Sequence, residues 1–222
     1  MMIILLGGQK GGAGKSTIAC NLAGMLTNAG KDVILVDSDS QRSASRWSGE
    51  RKTEHSDLPK VNSTQQIDMD VDDALVDFDR RFDYVIVDAA GRDSRELATA
   101  LLVCHIVLMP FRPSSFDILT LPHMVTLIKA SRRVNTKLKA LAFVNSAPTN
   151  TQNIDTLSAR EAIGEFSEFI TLLNTTIYDR RIYRDSMAEG LTATEMPDKS
   201  SSAVAAKIEM EKLLAEILNE AS

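Results

Sequence analysis

The run "GGQKGGAGKST", Gly7 to Thr17, holds five glycines and two lysines where an apolar segment turns into a helical one. Gly11, Gly12 and Gly14 lack a Cβ, so the backbone there can curl until several N–H groups converge on one anion. A helix starting near Lys15 adds the partial positive charge of its N-terminus. Lys15 then lies against the outer phosphates of a nucleotide and the Ser16 hydroxyl reaches Mg²⁺, with Ala13 and Thr17 completing the cradle. Two aspartates close apolar runs, Asp37 in "ILVDSDSQ" and Asp88 in "VIVDAAG". At the carboxyl end of a strand such a residue either orients Mg²⁺, directly or through water, or caps a turn. The chemistry these residues point to is the binding of a nucleotide's phosphates together with Mg²⁺.

That chemistry needs elements to hold it. Continuous apolar runs predict strands buried on both faces at Met2–Leu6, Asp32–Asp37, Tyr84–Gly91, His105–Pro110 and Leu138–Asn145. Ile18, Leu22, Met25, Leu26 and Ala29 fall at helical spacing after the glycines, and Gly30 stops that helix. Further helices are expected near residues 68–79, 93–102, 115–131 and 154–168. Ser48–Gln66 is polar and lacks periodicity, which reads as a surface excursion. Strand alternating with crossover helix predicts an α/β fold with a doubly wound, mostly parallel sheet. The 222 residues suit one domain, 1–222, with a last helix over about 201–220 packed on it through Val204, Ile208, Leu214, Ile217 and Leu218.

Composition narrows the alternatives. Charged residues make up 25% and the net charge is −5, so polyanion binding requires a local basic patch. Two such clusters stand out: Lys129, Arg132, Arg133, Lys137 and Lys139, and then Arg180, Arg181 and Arg184. Either contacts phosphates or is a solvated face. No apolar run reaches the roughly 20 residues of a bilayer span, and the acidic C-terminus lacks the basic face of a membrane-surface helix. Cys20 and Cys104 are isolated, which predicts a reduced cytoplasmic protein without disulfide or zinc. His55, His105 and His123 show no ligand or triad spacing.

The first glycine of the common phosphate-loop pattern is replaced by Gln9, and Lys10 follows. In this the segment resembles the deviant Walker-A P-loop ATPases, and "QKGGAGKST" is most similar to the ParA family of partition ATPases. The resemblance implies a homodimer that forms around ATP, in which Lys10 reaches the phosphates bound by the other copy. Taken from its residue type alone, Lys10 is a solvated loop lysine. "DSDSQ" resembles the family's DxDxQ switch with Ser40 in place of proline, which assigns Asp39 to the attacking water and Asp37 to the outer shell of the metal. "MPFRPSSFDI" and "DRRIYRDSMAEG" resemble family segments, the former near the dimer face. Arg92 and Arg95 face that interface, pack on the domain or face solvent. Asn145 matches an adenine-contacting asparagine; read from residue type it is a turn residue.

The resemblance further implies an ATPase with catalytic Lys10, Lys15 and Asp39, and with Ser16, Asp37 and Asp88 around Mg²⁺. It implies nonspecific DNA binding through Arg132, Arg133 and Lys137 or through Arg180, Arg181 and Arg184. The partner is then a centromere-binding adaptor of ParB type, the setting the nucleoid, and the task segregation of plasmid or similar DNA. Two other readings keep the scaffold: a MinD-like positioning ATPase, and a small-molecule ligase or kinase. No membrane partner is expected.

Overall fold

The computed structural model describes residues 1–8, 11–66, 71–91, 94–114, 118–150 and 153–221. The apolar runs form the centre of a sheet. Its strands are β1 (Met2–Leu6), β2 (Val33–Ser38), β3 (Asn62–Gln65), β4 (Tyr84–Ala89), β5 (Ile106–Phe111), β6 (Lys139–Ala147) and β7 (Thr171–Tyr178). They lie in the order β3-β2-β4-β1-β5-β6-β7, and every pairing is parallel. The strand order reverses at β1, which is where open α/β sheets bind ligands at their carboxyl edge.

Each central strand feeds two cores because successive side chains point to opposite faces. Ile3 and Leu5 pack on one face with α3 (Val71–Asp79), α4 (Arg95–Ala100), α5 (Leu121–Ser131) and α6 (Ile154–Gly164). Ile4 and Leu6 pack on the other with α1 (Lys15–Asn28), α2 (Ser43–Glu54), α7 (Arg181–Ala188) and α8 (Ser201–Ala221). The four helices expected between strands are present but shorter, and residues 68–70, 93 and 115–117 of those expectations fall outside the described residues.

Several elements depart from expectation, among them helix α7, which is not one of the expected helices. The excursion at Ser48–Gln66 is instead most of α2 followed by β3. Helix α2, "SASRWSGERKTE", buries only Ala44, Trp47, Ser48 and Arg51, too few apolar residues to show a period. Strand β3 is polar because it is an edge strand, exposed at Asn62, Ser63 and Gln65. At the opposite edge β7 escapes notice for a related reason, with only Leu173 and Ile177 buried.

The last helix runs along β7, but on a different stripe from the expected one. Val204 and Ile208 are exposed, while Ala203, Ala206, Glu209, Met210, Leu213 and Ile217 are buried. Two glutamates explain the rotation. Glu216 accepts from the N–H groups of Asn174 and Thr175 at 3.1 and 2.9 Å, and Glu209 accepts from that of Tyr178 at 3.3 Å. The helix thus satisfies donors along the free edge of the sheet, which would otherwise invite pairing with another chain.

Candidate functional site

Strand β1 delivers the chain to the carboxyl edge, where Gly7 donates to the Leu108 carbonyl at 3.0 Å. Gly12 and Gly14 adopt φ of 79° and 94°, a region that glycine enters without a Cβ clash. Gly14 precedes α1, and no side chain caps that helix start. The first helical N–H groups therefore remain available to a bound anion.

The loop is held from behind by Asn145. Its amide donates to the Ala13 carbonyl at 2.6 Å, and a Cβ on Gly14 would stand 2.2 Å from the same nitrogen. Asn145 is not a turn residue: β6 continues through it to Ala147. Replacing Asn145 with alanine removes a bond to the buried Ala13 and should cost about 1–3 kcal/mol. A urea unfolding midpoint checks this, and nucleotide affinity measured on the same protein should fall with it.

Strand register sets the aspartates side by side, Asp37 opposite Asp88 across β2 and β4. Their surroundings differ sharply. Asp37 has filled its oxygens: Oδ1 accepts from the Asp39 N–H at 3.1 Å, and Oδ2 from both the N–H and hydroxyl of Ser45 at 2.7 Å. It ties the start of α2 to the sheet. Asp88 is fully buried, and neither oxygen has a hydrogen-bond partner among the described residues. The Ser16 hydroxyl lies close enough to draw that carboxyl's pKa down, without the geometry of a full hydrogen bond. Burial pushes the Asp88 carboxyl up to about 7; Ser16 and Lys15 pull it down, while Asp37 and Asp39 push it further up. Burial likewise lowers the Lys15 ammonium, against the attraction of Asp88 and Asp39. A buried carboxylate lacking donors, next to a hydroxyl, fits a divalent cation. Among the described residues no three His, Cys, Asp or Glu converge as a metal cluster. Mg²⁺ takes one or two protein ligands and completes its shell with phosphates and water.

Asp39 is half-buried at the head of a turn. Its Oδ1 accepts from the Gln41 N–H and its carbonyl from the Arg42 N–H, both at 2.9 Å. Ser40 occupies the second turn position, where proline is favoured, so the serine keeps the turn that the family's proline would stiffen. Arg42, with φ 55°, leads directly into α2.

Gly11, Gly12, Gly14 to Thr17, Asp39 and Asn145 line one cleft of about 540 Å³. Lys10 and Arg92 lie outside the described residues; Arg95 opens α4 and is exposed. The cleft extends to residues that periodicity does not single out: Arg112, Ser146, Tyr178, Asp179, Tyr183, Arg184 and Met187. The segment "DRRIYRDSMAEG" signals most of them, through its resemblance and not through any pattern of its own.

The basic clusters separate. Arg180 bonds Glu209 at 2.7 Å with its side chain only 15% exposed, Arg184 bonds Asp179 at 2.8 Å, and Arg181 bonds Asp185 at 3.2 Å. Each of these cations already faces a carboxylate. In the other cluster Lys129 sits over the Phe169 ring at 3.8 Å and Lys139 bonds the Glu220 carbonyl. Arg132 bonds the Leu138 carbonyl, while Arg133 and Lys137 are exposed. This group lies where β6 begins, at the end of the sheet away from the cleft. His105 is structural, its Nδ1 accepting from the Ile3 N–H at 2.9 Å. Cys20 and Cys104 are buried free thiols, both held protonated by burial.

Known proteins carry the same architecture. The CobQ/CobB/MinD/ParA nucleotide binding domain matches residues 4–218. The maintenance of carboxysome distribution protein A of Halothiobacillus neapolitanus is 28% identical over 196 residues, 87% of each chain. Protein ParA of Rhizobium radiobacter is 34% identical over 123 residues, 53% of this chain and 51% of that protein. Among solved structures, apo McdA of Cyanothece superposes with a TM-score of 0.76 at 16% identity, covering 100% and 99% of the two chains. Septum site-determining protein MinD of Pyrococcus horikoshii, complexed with Mg-ADP, gives 0.73 at 17% identity over 100% and 98%.

Proposed function

The chain belongs to the CobQ/CobB/MinD/ParA nucleotide-binding family and has the fold of its MinD/ParA P-loop ATPases, and from that premise we propose that it hydrolyses ATP as a dimer that segregates plasmid or similar DNA. The observation that carries the reading is Asp88, a buried carboxylate with no full hydrogen bond among the described residues, beside Ser16 and Lys15, which line the cleft. Ser16 and Asp88 would hold Mg²⁺, and Asp37, opposite Asp88 on the neighbouring strand, would serve its outer shell while it fastens the switch segment. The loop N–H groups and Lys15 take the phosphates. Asp39 orients the water that attacks the terminal phosphorus, releasing ADP and phosphate; placement matters more than basicity in this reaction. When bound, the cation neutralises the charge that builds on the phosphoryl oxygens.

Lys10 reaches the partner's phosphates and makes ATP the glue of the dimer. Two facing triphosphates concentrate negative charge, and a cation from each side offsets it. Nonspecific DNA contact falls to Arg132, Arg133 and Lys137, since Arg180, Arg181 and Arg184 already meet carboxylates. The adaptor is a centromere-binding protein of ParB type, and the protein works on the nucleoid. No described helix is long and apolar enough to cross a membrane. Size-exclusion chromatography with ATP, ADP or no nucleotide tests the core of this. Wild type should dimerise with ATP alone and carry duplex DNA in low salt. Lys10→Ala should stay monomeric, and an ATP-dimer in that variant would refute the assignment.

A second reading follows from the carboxysome distribution protein, which matches along nearly its whole length. In it the cargo is a protein body. Loss of a test plasmid on deletion supports the first reading; clumped protein bodies with plasmid inheritance intact support the second.

A further inference from the structure

Outside the cleft, on the second-core face of the sheet, the interior holds an ion pair that the chemistry above does not use. Arg51 of α2 and Glu195, distant in sequence, meet at 2.6 and 2.8 Å in a two-pronged contact, their side chains only 3% and 10% exposed. Arg51 also donates to the Gly190 carbonyl, and its guanidinium lies 5.5 Å from the Trp47 ring centre. Glu195 additionally accepts from the Asn28 amide at 2.6 Å and the Thr192 N–H at 2.7 Å. These bonds, and those from the Arg51 guanidinium, outweigh burial and hold its carboxyl below the usual range.

The pair has company that all serves one purpose. The Trp47 indole N–H donates to the Leu191 carbonyl at 2.9 Å, and the His55 ring meets the Glu189 carbonyl at 2.8 Å. Gly190, at φ 68°, presses so closely on α2 that a Cβ there would stand 2.3 Å from the Arg51 nitrogen. Residues 189–195 are therefore bolted to α2 along its length. Both ends of this assembly run into the nucleotide cleft. At one end α2 begins at the turn that carries Asp39, Gln41 and Ser43, and Ser45 is bonded to Asp37. At the other, the bolted loop leaves α7 through the bond from Leu191 N–H to the Ser186 carbonyl, and α7 contributes Tyr183, Arg184 and Met187 to the cleft.

We infer that Arg51 and Glu195 are positioning residues for ATP hydrolysis: they clasp the switch helix to α7, so that the two sets of cleft-lining side chains move as one body. The inference rests on the ATPase reading. A buried, doubly bonded pair is a two-state connection, made or broken, which is what coupling between two moving parts requires. None of residues 189–195 lines the cleft. The same residues also meet α1, where Asn21 accepts from the Ala193 N–H at 2.7 Å and Asn28 donates to Glu195, both beyond the first turn that carries Lys15. Loosening the clasp therefore displaces Asp39 first, and an ångström of misplacement at a reacting centre can cost on the order of 10²-fold in rate.

The test is steady-state hydrolysis by wild type, Glu195→Gln and Arg51→Lys, assayed at a temperature where circular dichroism shows each folded. The clasp predicts kcat about 10-fold or more below wild type with KM for ATP within about twofold, because only the positioning of the attack is lost. A purely structural pair predicts lower melting temperatures with kcat unchanged, and that result overturns the inference. Hydrogen exchange with and without a nonhydrolysable ATP analogue supplies an independent readout that covers a variant too unstable to assay. Nucleotide should protect both residues 43–54 and 181–195 in wild type. Protection confined to residues 43–54 in wild type also overturns the clasp. Wild type that hydrolyses no ATP at all refutes the parent reading instead.

Discussion

Lys15→Ala should reduce ATP turnover by at least about 10²–10³-fold, the scale of losing one charge-stabilising donor at a phosphoryl centre. It should do so without unfolding the protein. Lys15 is 6% exposed, and burial works against its charge, so its attraction to Asp88 and Asp39 falls short of offsetting the cost of placing an ammonium there. Its return comes when phosphates enter. The sharper readout is therefore thermal protection by nucleotide. A ligand at 100 times its Kd stabilises a folded protein by about 2.7 kcal/mol, and most of that should vanish in the variant. Retained protection together with retained turnover would mean that the phosphates lie elsewhere.

Glu209→Ala should destabilise the fold by about 3–5 kcal/mol. Glu209 is a shared acceptor. The Arg180 guanidinium reaches it at 2.7 Å, the Tyr183 hydroxyl at 3.0 Å and the Tyr178 N–H at 3.3 Å. Truncation orphans the Tyr178 N–H, leaves the Tyr183 hydroxyl only the Ala206 carbonyl at 3.2 Å and takes the carboxylate from Arg180, whose remaining hydrogen bond is to the Ser202 hydroxyl at 3.3 Å. The half-buried Arg180 charge is the costliest because it cannot shed its proton. Burial and the neighbouring carboxylate hold the Tyr183 hydroxyl well above its usual pKa, so it stays a donor and needs its acceptor. Guanidinium denaturation should show the midpoint falling with an unchanged slope. A double replacement, Arg180→Met with Glu209→Leu, should recover part of the loss, since an apolar pair carries no desolvation cost. The consequence reaches the cleft, because Tyr178, Arg180 and Tyr183 line it. Alanine at 209 with full stability would place α8 outside the folded unit.

The amino-acid sequence determined what local chemistry can specify. Glycines in "KGGAGKST" allow the positive φ angles that the loop adopts, and the apolar runs that become β1, β2, β4, β5 and β6 need no partner to declare themselves, because each is buried on both faces. Asp37 and Asp88 announce the carboxyl edge by ending those runs. Their difference is not local: the same residue type in the same setting is filled by Ser45 in one case and left without a donor in the other. Tertiary structure alone decided that, as it decided the polar edge strands β3 and β7, the rotation of α8 and the mooring of the glycine loop by Asn145. It also decided which basic residues remain exposed, since Arg180 meets its carboxylate only once α8 lies against β7. The clasp of Arg51 with Glu195 belongs to the same class. Periodicity and motif report on neighbours a few residues apart, whereas these contacts join groups that only the folded chain brings within bonding distance.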